Sequence, residues 1–218
     1  MRRMRTRLLF VVALLLAPLA FAAPEKWLPA IEKLTANDAT QPPPRHGVVF
    51  VGSSSIVKWT TLTRDFPDER VIQRGFGGSE LADSVAYADR IVIPYAPRLV
   101  VLYAGDNDLK TGKTPEAVHA NFREFVAKIQ AALPHTRILY IAIKPSPARW
   151  TLREKIVRAN ELIAAECAKN PLLAFADVYK PMLNEKGEPR PELFMKDMLH
   201  LNEAGYALWR QIVAPKLR

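Results

Sequence analysis

Short apolar segments alternate with longer amphipathic segments along most of this chain, and this alternation limits the fold more than any other feature. The apolar segments predict β-strands at 47–51, 70–73, 98–103, 137–143 and 172–178. The amphipathic segments predict helices near 79–93, 115–133, 152–169 and 203–214. Strands separated by helices form a parallel sheet with helices on both faces. The sequence therefore predicts one α/β domain, a three-layer α/β/α sandwich around a five-stranded parallel sheet.

The helix predicted at 115–133 has the clearest amphipathic pattern. One of its faces is apolar and comprises Val118, Phe122, Phe125, Ile129 and Leu133. Thr114 is expected to cap the start of this helix. Thr151 and Glu154 have the spacing of a capping box before the helix at 152–169. The two helices therefore have predicted starting points.

Residues 1–22 have the three parts of a secretory signal peptide. Four arginines precede the apolar run 8–16, and Ala20-Phe21-Ala22 matches the small-x-small cleavage pattern. The run is too short to span a bilayer, which needs about 20 residues. The mature protein is expected to be periplasmic or secreted, with no stable membrane insertion after cleavage. An uncleaved N-terminal anchor is the alternative.

Residues 23–46 are predicted to form an N-terminal extension, and residues 47–218 the folded domain. The extension contains a weak helical pattern of Trp27, Ile31 and Leu34, followed by Gln-Pro-Pro-Pro at 41–44. A proline run of this kind is a stiff, extended spacer.

The balance of charged residues and the cysteine content exclude several classes of protein. The chain carries 31 Lys and Arg against 22 Asp and Glu, a net charge of +9, but four of the arginines lie in the predicted signal. No later segment combines a basic run with aromatic residues, so nucleic-acid binding is not expected. The single cysteine, Cys167, excludes an internal disulfide and a cysteine-based zinc site. It continues the apolar stripe of the helix at 152–169, so we expect it to be buried and unreactive.

The residues that follow each predicted strand are candidate site residues, because ligands bind at the carboxyl ends of strands in such sheets. Ser53, Ser54 and Ser55 follow Gly52 after the first strand. A serine at the start of a helix can act as a nucleophile, because free backbone N–H groups there stabilise an oxyanion. A serine-rich helix cap is the alternative.

Two further loops follow the second and third strands. Residues 75–78 contain three glycines, which let the backbone approach a ligand closely, but Glu80 stands where a dinucleotide-binding motif needs its third glycine. Asn107 can donate its side-chain N–H to developing negative charge. Its neighbours Asp106 and Asp108 have no nearby histidine and lack EF-hand spacing, so no metal site is predicted. A tight strand-to-helix turn and an Asx-turn are the alternatives for the two loops.

Asp197 and His200 follow the last predicted strand. An aspartate beside a histidine can fix the imidazole tautomer and stabilise the imidazolium that forms when the histidine acts as a base. This spacing also arises by chance, so the pair alone is weak evidence. A serine, a glycine loop, an amide donor and an Asp-His pair lie at one edge of one predicted sheet, in chain order. Each alternative is tolerable alone, but four accidents at one edge are improbable, and together the residues predict a functional site there.

Over residues 48–214 these motifs resemble those of the SGNH (GDSL-like) hydrolase family, whose four blocks contribute Ser, Gly, Asn and His. The matching residues are Ser54, in a Gly-Ser-Ser-Ser variant of the first block, Gly78, Asn107 and His200. Ser53 and Gln73 depart from the Asp and Asn usual in the family, which bears on substrate preference. The resemblance implies a flavodoxin-like α/β/α fold.

The resemblance also implies a serine esterase that hydrolyses carboxylic esters without a metal or organic cofactor. Ser54 would attack the ester carbonyl, His200 would take its proton, and Asp197 would orient His200. The backbone N–H groups of Ser54 and Gly78 and the side-chain amide of Asn107 would form the oxyanion hole.

The expected substrate is a small-molecule or carbohydrate ester with a short acyl group such as acetyl, because the chain leaves little room for a lid or a lipid tunnel. Arg149 and Trp150 follow the fourth strand at the same edge and are expected to shape the substrate cleft. Packing of Trp150 beneath its loop is the alternative. A lysophospholipase or thioesterase of the same family is the alternative enzyme, and a catalytically idle carbohydrate-binding module is the alternative of another class.

Overall fold

The computed structural model describes residues 25–218, which contain one sheet of five parallel strands in the order β2-β1-β3-β4-β5. The strands are β1 (Val48–Gly52), β2 (Val71–Gly75), β3 (Leu99–Tyr103), β4 (Arg137–Ile141) and β5 (Leu173–Ala176). Each strand begins and ends within two residues of the ends of the apolar segment that predicted it. The predicted signal peptide at 1–22 lies outside the described residues.

Eight α-helices occur in residues 25–218. They are α1 (Leu28–Thr35), α2 (Ser54–Val57), α3 (Leu62–Asp65), α4 (Leu81–Ile91), α5 (Asp106–Lys110), α6 (Pro115–Ala132), α7 (Arg153–Cys167) and α8 (Glu203–Val213). The four predicted helices are confirmed as α4, α6, α7 and α8. Helices α2, α3 and α5 are too short to have a detectable amphipathic period, so the pattern did not predict them.

The side chains of each strand alternate between two apolar cores, one on each face of the sheet. In β1, Val49 and Val51 lie in the core covered by α1, α4, α6 and α7, whereas Val48 and Phe50 lie in the core covered by α2, α3 and α8. Because both faces of the sheet are covered, all five β1 residues are buried. The fold is the predicted three-layer α/β/α sandwich.

The strand order changes direction at β1, since β2 lies on one side of it and β3 on the other. At such a point the loops that follow the two central strands diverge and leave a crevice at the carboxyl edge of the sheet. In this chain, the loops after β1 and β3 carry Ser54 and Asn107. The topology therefore brings two of the predicted site residues to the same crevice.

The predicted helix caps have different outcomes. Thr114 caps α6 as predicted, accepting a hydrogen bond from the Ala117 N–H at 3.2 Å. The capping box predicted from Thr151 and Glu154 is wrong. Helix α7 begins at Arg153 without a side-chain cap, because its Arg153 N–H already bonds to the Trp150 carbonyl of a preceding 3₁₀ helix.

The segment predicted as an N-terminal extension packs on the domain. Ile31 of α1 is fully buried in the core beside α4, and Asp38 forms an ion pair with Arg74 at 2.7 Å. These contacts attach residues 25–46 to the sheet, while the domain boundary at 46 stays a prediction. Within residues 25–218, no helix has the length and apolar character needed to cross a membrane.

Candidate active site

Ser54 is the first residue of α2, directly beyond the end of β1. The turn is tight, because Gly52 has a φ of +135° and the Ser53 N–H bonds to the Tyr103 carbonyl at 3.0 Å. A Cβ on Gly52 would lie 1.9 Å from that carbonyl oxygen, so only glycine fits there. Ser53 occupies the N-cap position but makes no capping hydrogen bond with its side chain. The serine cap considered from the sequence is therefore not formed.

Ser54, His200 and Asp197 are hydrogen-bonded in series. The Ser54 Oγ lies 3.0 Å from the His200 Nε2, and the His200 Nδ1 lies 2.6 Å from the Asp197 Oδ2. A carboxylate can only accept a hydrogen bond, so the Nδ1 carries the proton and the Nε2 is free to accept one from the serine. This arrangement can transfer a proton from the hydroxyl to the imidazole.

The Asp197 carboxylate is held ionised by its hydrogen bonds. Its side chain is 48% exposed, but the His200 ring and the backbone N–H groups of His200 and Leu199 all donate to it. The hydrogen bond from the His200 side chain contributes most, and together these bonds hold the pKa of Asp197 well below its usual value. Asp197 is therefore an anion throughout the physiological pH range.

The glycine loop after β2 (residues 75–78) lies against the turn that carries Ser54, here called the Ser54 turn. A Cβ on Gly77 would be 3.8 Å from the Ser54 Cβ, and Gly78 has a φ of +85°, which favours glycine. Among residues 25–218 no acceptor takes the backbone N–H of Ser54 or of Gly78. Trp27 packs over this loop and lies 3.4 Å from the position that a Cβ on Gly78 would take.

Asn107 lies in the first turn of α5, immediately after β3. Its Nδ2 donates to the Ser79 carbonyl at 2.9 Å, and its Oδ1 accepts from the Arg149 Nη2 at 2.9 Å. An amide nitrogen carries two hydrogens, so one N–H remains for a ligand. Ser79 directly follows Gly78, so this bond also joins the first turn of α5 to the glycine loop.

Asp106 and Asp108 flank Asn107, and both are buried with partners inside the protein. Asp108 accepts the Leu81 N–H at the start of α4 at 3.0 Å, and burial raises its pKa. Asp106 accepts from Lys144 and from Tyr103, each at 3.1 Å. Burial alone would raise the pKa of Asp106, but the positive charges of Lys144 and Arg149 outweigh it and lower that pKa.

Lys144 was not predicted from the sequence to be a functional residue. Its side chain is 1% exposed, and its Nζ contacts the Ser55 Oγ at 3.2 Å and the Tyr103 hydroxyl at 2.9 Å besides Asp106. A lysine is almost never buried without a partner. The signal in the sequence was its position. Lys144 directly follows the apolar segment at 137–143, so it lies at the carboxyl edge of the sheet, where site residues are expected.

Arg149 and Trp150 lie at the same edge, and their cleft-shaping role stays a prediction. The Arg149 side chain is 12% exposed and contacts Asn107 and Asp106. Trp150 is half-buried, and the Arg153 guanidinium lies 5.9 Å from its ring. Gln73, which replaces the usual asparagine, donates to the Ile56 carbonyl at 2.6 Å and so ties β2 to α2.

A parallel α/β/α sandwich with a serine hydroxyl and a histidine ring in contact at the carboxyl edge of its sheet is typical of hydrolases. The family model of the GDSL-like Lipase/Acylhydrolase family matches residues 37–208. The chain belongs to that family and is an ester hydrolase.

Similar proteins are found in animals, bacteria and fungi. Platelet-activating factor acetylhydrolase IB subunit alpha1 of Pongo abelii is 26% identical over 187 residues, covering 84% of this chain and 78% of that protein. A GDSL-like lipase of Bacteroides thetaiotaomicron has a TM-score of 0.72 at 22% identity, covering 86% of this chain and 96% of the other. A carbohydrate esterase family 3 protein of Talaromyces cellulolyticus has a TM-score of 0.64 at 17% identity, covering 78% and 95%. The two solved structures share the fold of this chain.

Proposed function

We propose that the protein is a serine esterase in which Ser54 is the nucleophile, His200 the general base and Asp197 the residue that orients His200. The observation that carries this proposal is the series of hydrogen bonds from the Ser54 Oγ through the His200 ring to the Asp197 carboxylate. The carboxylate keeps the proton on Nδ1, and the Nε2 therefore accepts the serine proton as the Oγ attacks.

The reaction proceeds through an acyl-enzyme. The Ser54 Oγ bonds to the acyl carbon, the bond from that carbon to the alcohol oxygen breaks, and His200 returns its proton to the departing alcohol. Water then gives a proton to His200 and attacks the acyl carbon. The bond from that carbon to the Ser54 Oγ breaks, His200 passes the proton to the Oγ, and the acid is released. The free N–H groups of Ser54 and Gly78, with the remaining N–H of Asn107, hold the negative charge on the acyl oxygen in both steps.

The substrate that we propose is a carboxylic ester with a short acyl group, with acetyl the first choice. Two similarities support it, since one relative is named an acetylhydrolase and one structural neighbour is named a carbohydrate esterase. The alcohol part of the ester that we propose is a small molecule or a carbohydrate. We also propose that the protein is exported through cleavage of residues 1–22, so that it meets esters outside the cytoplasm.

The test is steady-state hydrolysis of p-nitrophenyl acetate, butyrate and octanoate by the wild type, Ser54→Ala and Ser84→Ala. The Ser84 hydroxyl is buried on α4 and has no hydrogen-bond partner among residues 25–218, so its loss is a matched control for removing a serine oxygen. We expect Ser54→Ala to lose at least about 10⁴-fold in kcat, Ser84→Ala to match the wild type, and acetate to give the highest kcat/KM.

Two results would contradict the proposal. Turnover by Ser54→Ala within a few-fold of the wild type would remove Ser54 from the chemistry. A wild type that hydrolyses none of these esters but binds oligosaccharides would instead identify an idle carbohydrate-binding module. Preference for octanoate would favour a lysophospholipase and refute only the short-acyl part.

A further inference from the structure

The loop that follows β4 contacts the Ser54 turn, the first turn of α5 and the loop of Asp197 and His200. Lys144 donates to the Ser55 Oγ, and Arg149 donates to the Asn107 Oδ1. The Ala148 N–H donates at 3.0 Å to the carbonyl of Met198, which lies between Asp197 and His200 and has a φ of +54°. The loop therefore fixes the relative positions of groups that are far apart in sequence.

The contact between Arg149 and Asn107 determines which way the asparagine amide points. A guanidinium has only donors, so the group that it contacts at 2.9 Å is the amide oxygen. The Ser79 carbonyl on the other side has only an acceptor, so it takes an N–H. Two neighbours of opposite kind leave one orientation of the amide, with an N–H available for the oxyanion.

The position of the guanidinium is itself fixed by buried charge. Arg149 Nη1 forms an ion pair with the Asp106 Oδ2 at 3.2 Å, and the same oxygen is 3.1 Å from the Lys144 Nζ. The Asp106 side chain is 7% exposed, so solvent screens these interactions weakly. Charges in such a network have little freedom to move, and the guanidinium keeps its place behind Asn107.

From this geometry we infer that Arg149 is a positioning residue of the esterase, acting through Asn107 on the oxyanion hole. The inference rests on the proposed function. A positive charge on the amide oxygen side strengthens the hydrogen bond that the amide nitrogen donates, because linked hydrogen bonds polarise one another. The gain is largest when the acyl oxygen carries negative charge, so Arg149 lowers the barrier more than it strengthens substrate binding.

The experiment is a double-mutant cycle on p-nitrophenyl acetate with Arg149→Met, Asn107→Ala and the double variant. We expect Arg149→Met to lower kcat about tenfold with KM within about threefold, since the loss affects a transition-state interaction. In the Asn107→Ala background the same change should lower kcat less than about twofold, because its target is absent. Arg158→Met is the matched control. It removes an exposed arginine of α7, 3.4 Å from Glu116, and should leave kcat and KM unchanged.

Arg149→Lys keeps a cation beside Asp106. It replaces Arg149→Met in the cycle if a thermal melt shows that Arg149→Met is much less stable than the wild type. Its kcat loss must also disappear in the Asn107→Ala background. Equal losses in both backgrounds, an unchanged kcat, or an effect confined to KM would overturn the inference. An Asn107→Ala variant as fast as the wild type would overturn it too. None of these results touches the proposed nucleophile, which is tested separately by the activity of the wild type and Ser54→Ala.

Discussion

Replacing Lys144 by methionine is expected to destabilise the protein strongly. The Lys144 Nζ contacts Asp106, Tyr103 and Ser55 at 2.9–3.2 Å, and its side chain is 1% exposed. Removing one partner of a buried ion pair costs about 3–5 kcal/mol, because the other charge stays buried without full compensation. Arg149 still lies 3.2 Å from the same Asp106 oxygen, which favours the lower end, about 3 kcal/mol. For a chain of this size that is a fall in Tm of about 6–12 °C.

The matched control is Lys128→Met, which removes a surface lysine. Lys128 lies 2.6 Å from Asp89, but the two side chains are 28% and 65% exposed. Exposed pairs contribute about 0–1 kcal/mol, so Tm should fall by less than about 4 °C. Both variants are measured by thermal melts followed by circular dichroism, with urea unfolding to compare the slopes.

The pH dependence separates lost charge pairing from lost packing. In the wild type the pKa of Asp106 is lowered, so its contribution to stability is full above the unfolded carboxyl pKa of about 3.9 and is lost as pH falls through the folded value. In Lys144→Met a cation is gone while burial remains, so that pKa must rise. Protonation then relieves the buried charge, so the Tm deficit should shrink as the pH falls from 7 through the range in which carboxyl groups titrate. A deficit no larger than that of Lys128→Met, or one independent of pH, would refute this reasoning.

Four further predictions concern Asn107, Asp197 and Cys167. Asn107→Ala should lower kcat about 10²-fold with little change in KM, measured on p-nitrophenyl acetate; an unchanged kcat would leave Asn107 as a turn residue only. Asp197→Asn should lower kcat by up to about 10⁴-fold, because the amide can hold the wrong imidazole tautomer. As the pKa of Asp197 is lowered, the stability difference between this variant and the wild type should be full at pH 7 and decline below about pH 4 in thermal melts. Burial raises the pKa of Cys167 to about 12, so maleimide labelling at pH 8 should be about 10³-fold slower in the native than in the urea-unfolded protein, and rapid native labelling would contradict its burial.

The periodicity of apolar residues is a local property, and it was sufficient to predict the five strands and the helices α4, α6, α7 and α8. The apolar face of α6 illustrates this, since Val118, Phe122, Phe125 and Ile129 are all buried as their spacing predicts. Leu133, at the end of the same stripe, lies beyond the helix and is only half-buried. The pattern determines which face is apolar, whereas the end of a helix depends on the turn that follows it.

The sequence also placed Ser54, Gly78, Asn107 and His200 at one edge of the sheet, because parallel strands point their carboxyl ends the same way. The hydrogen bond between the Ser54 Oγ and the His200 Nε2 joins residues 146 positions apart, and only the folded chain shows it. The sheet order brings the loops after β2 and β3 to Ser54, since β1 lies between those two strands. His200 follows β5 at the far edge of the sheet, and it reaches Ser54 because α8 packs on the same face as α2, where the Tyr206 hydroxyl donates to the Ser55 carbonyl at 2.9 Å.

The buried network of Lys144, Asp106 and Arg149 was decided by tertiary structure alone. In the sequence, Asp106 belongs to an acidic loop, for which a metal site and an Asx-turn were considered. Lys144 and Arg149 lie in a proline-containing loop whose residues have no regular spacing. Neither periodicity nor a motif describes a charge that is buried because a distant loop covers it. The apolar pattern determined the layers and the edge where chemistry can occur, because burial of strands and helices follows local spacing. The pairing of charges behind Asn107 depends on how three separate loops pack, and that is a property of the folded chain.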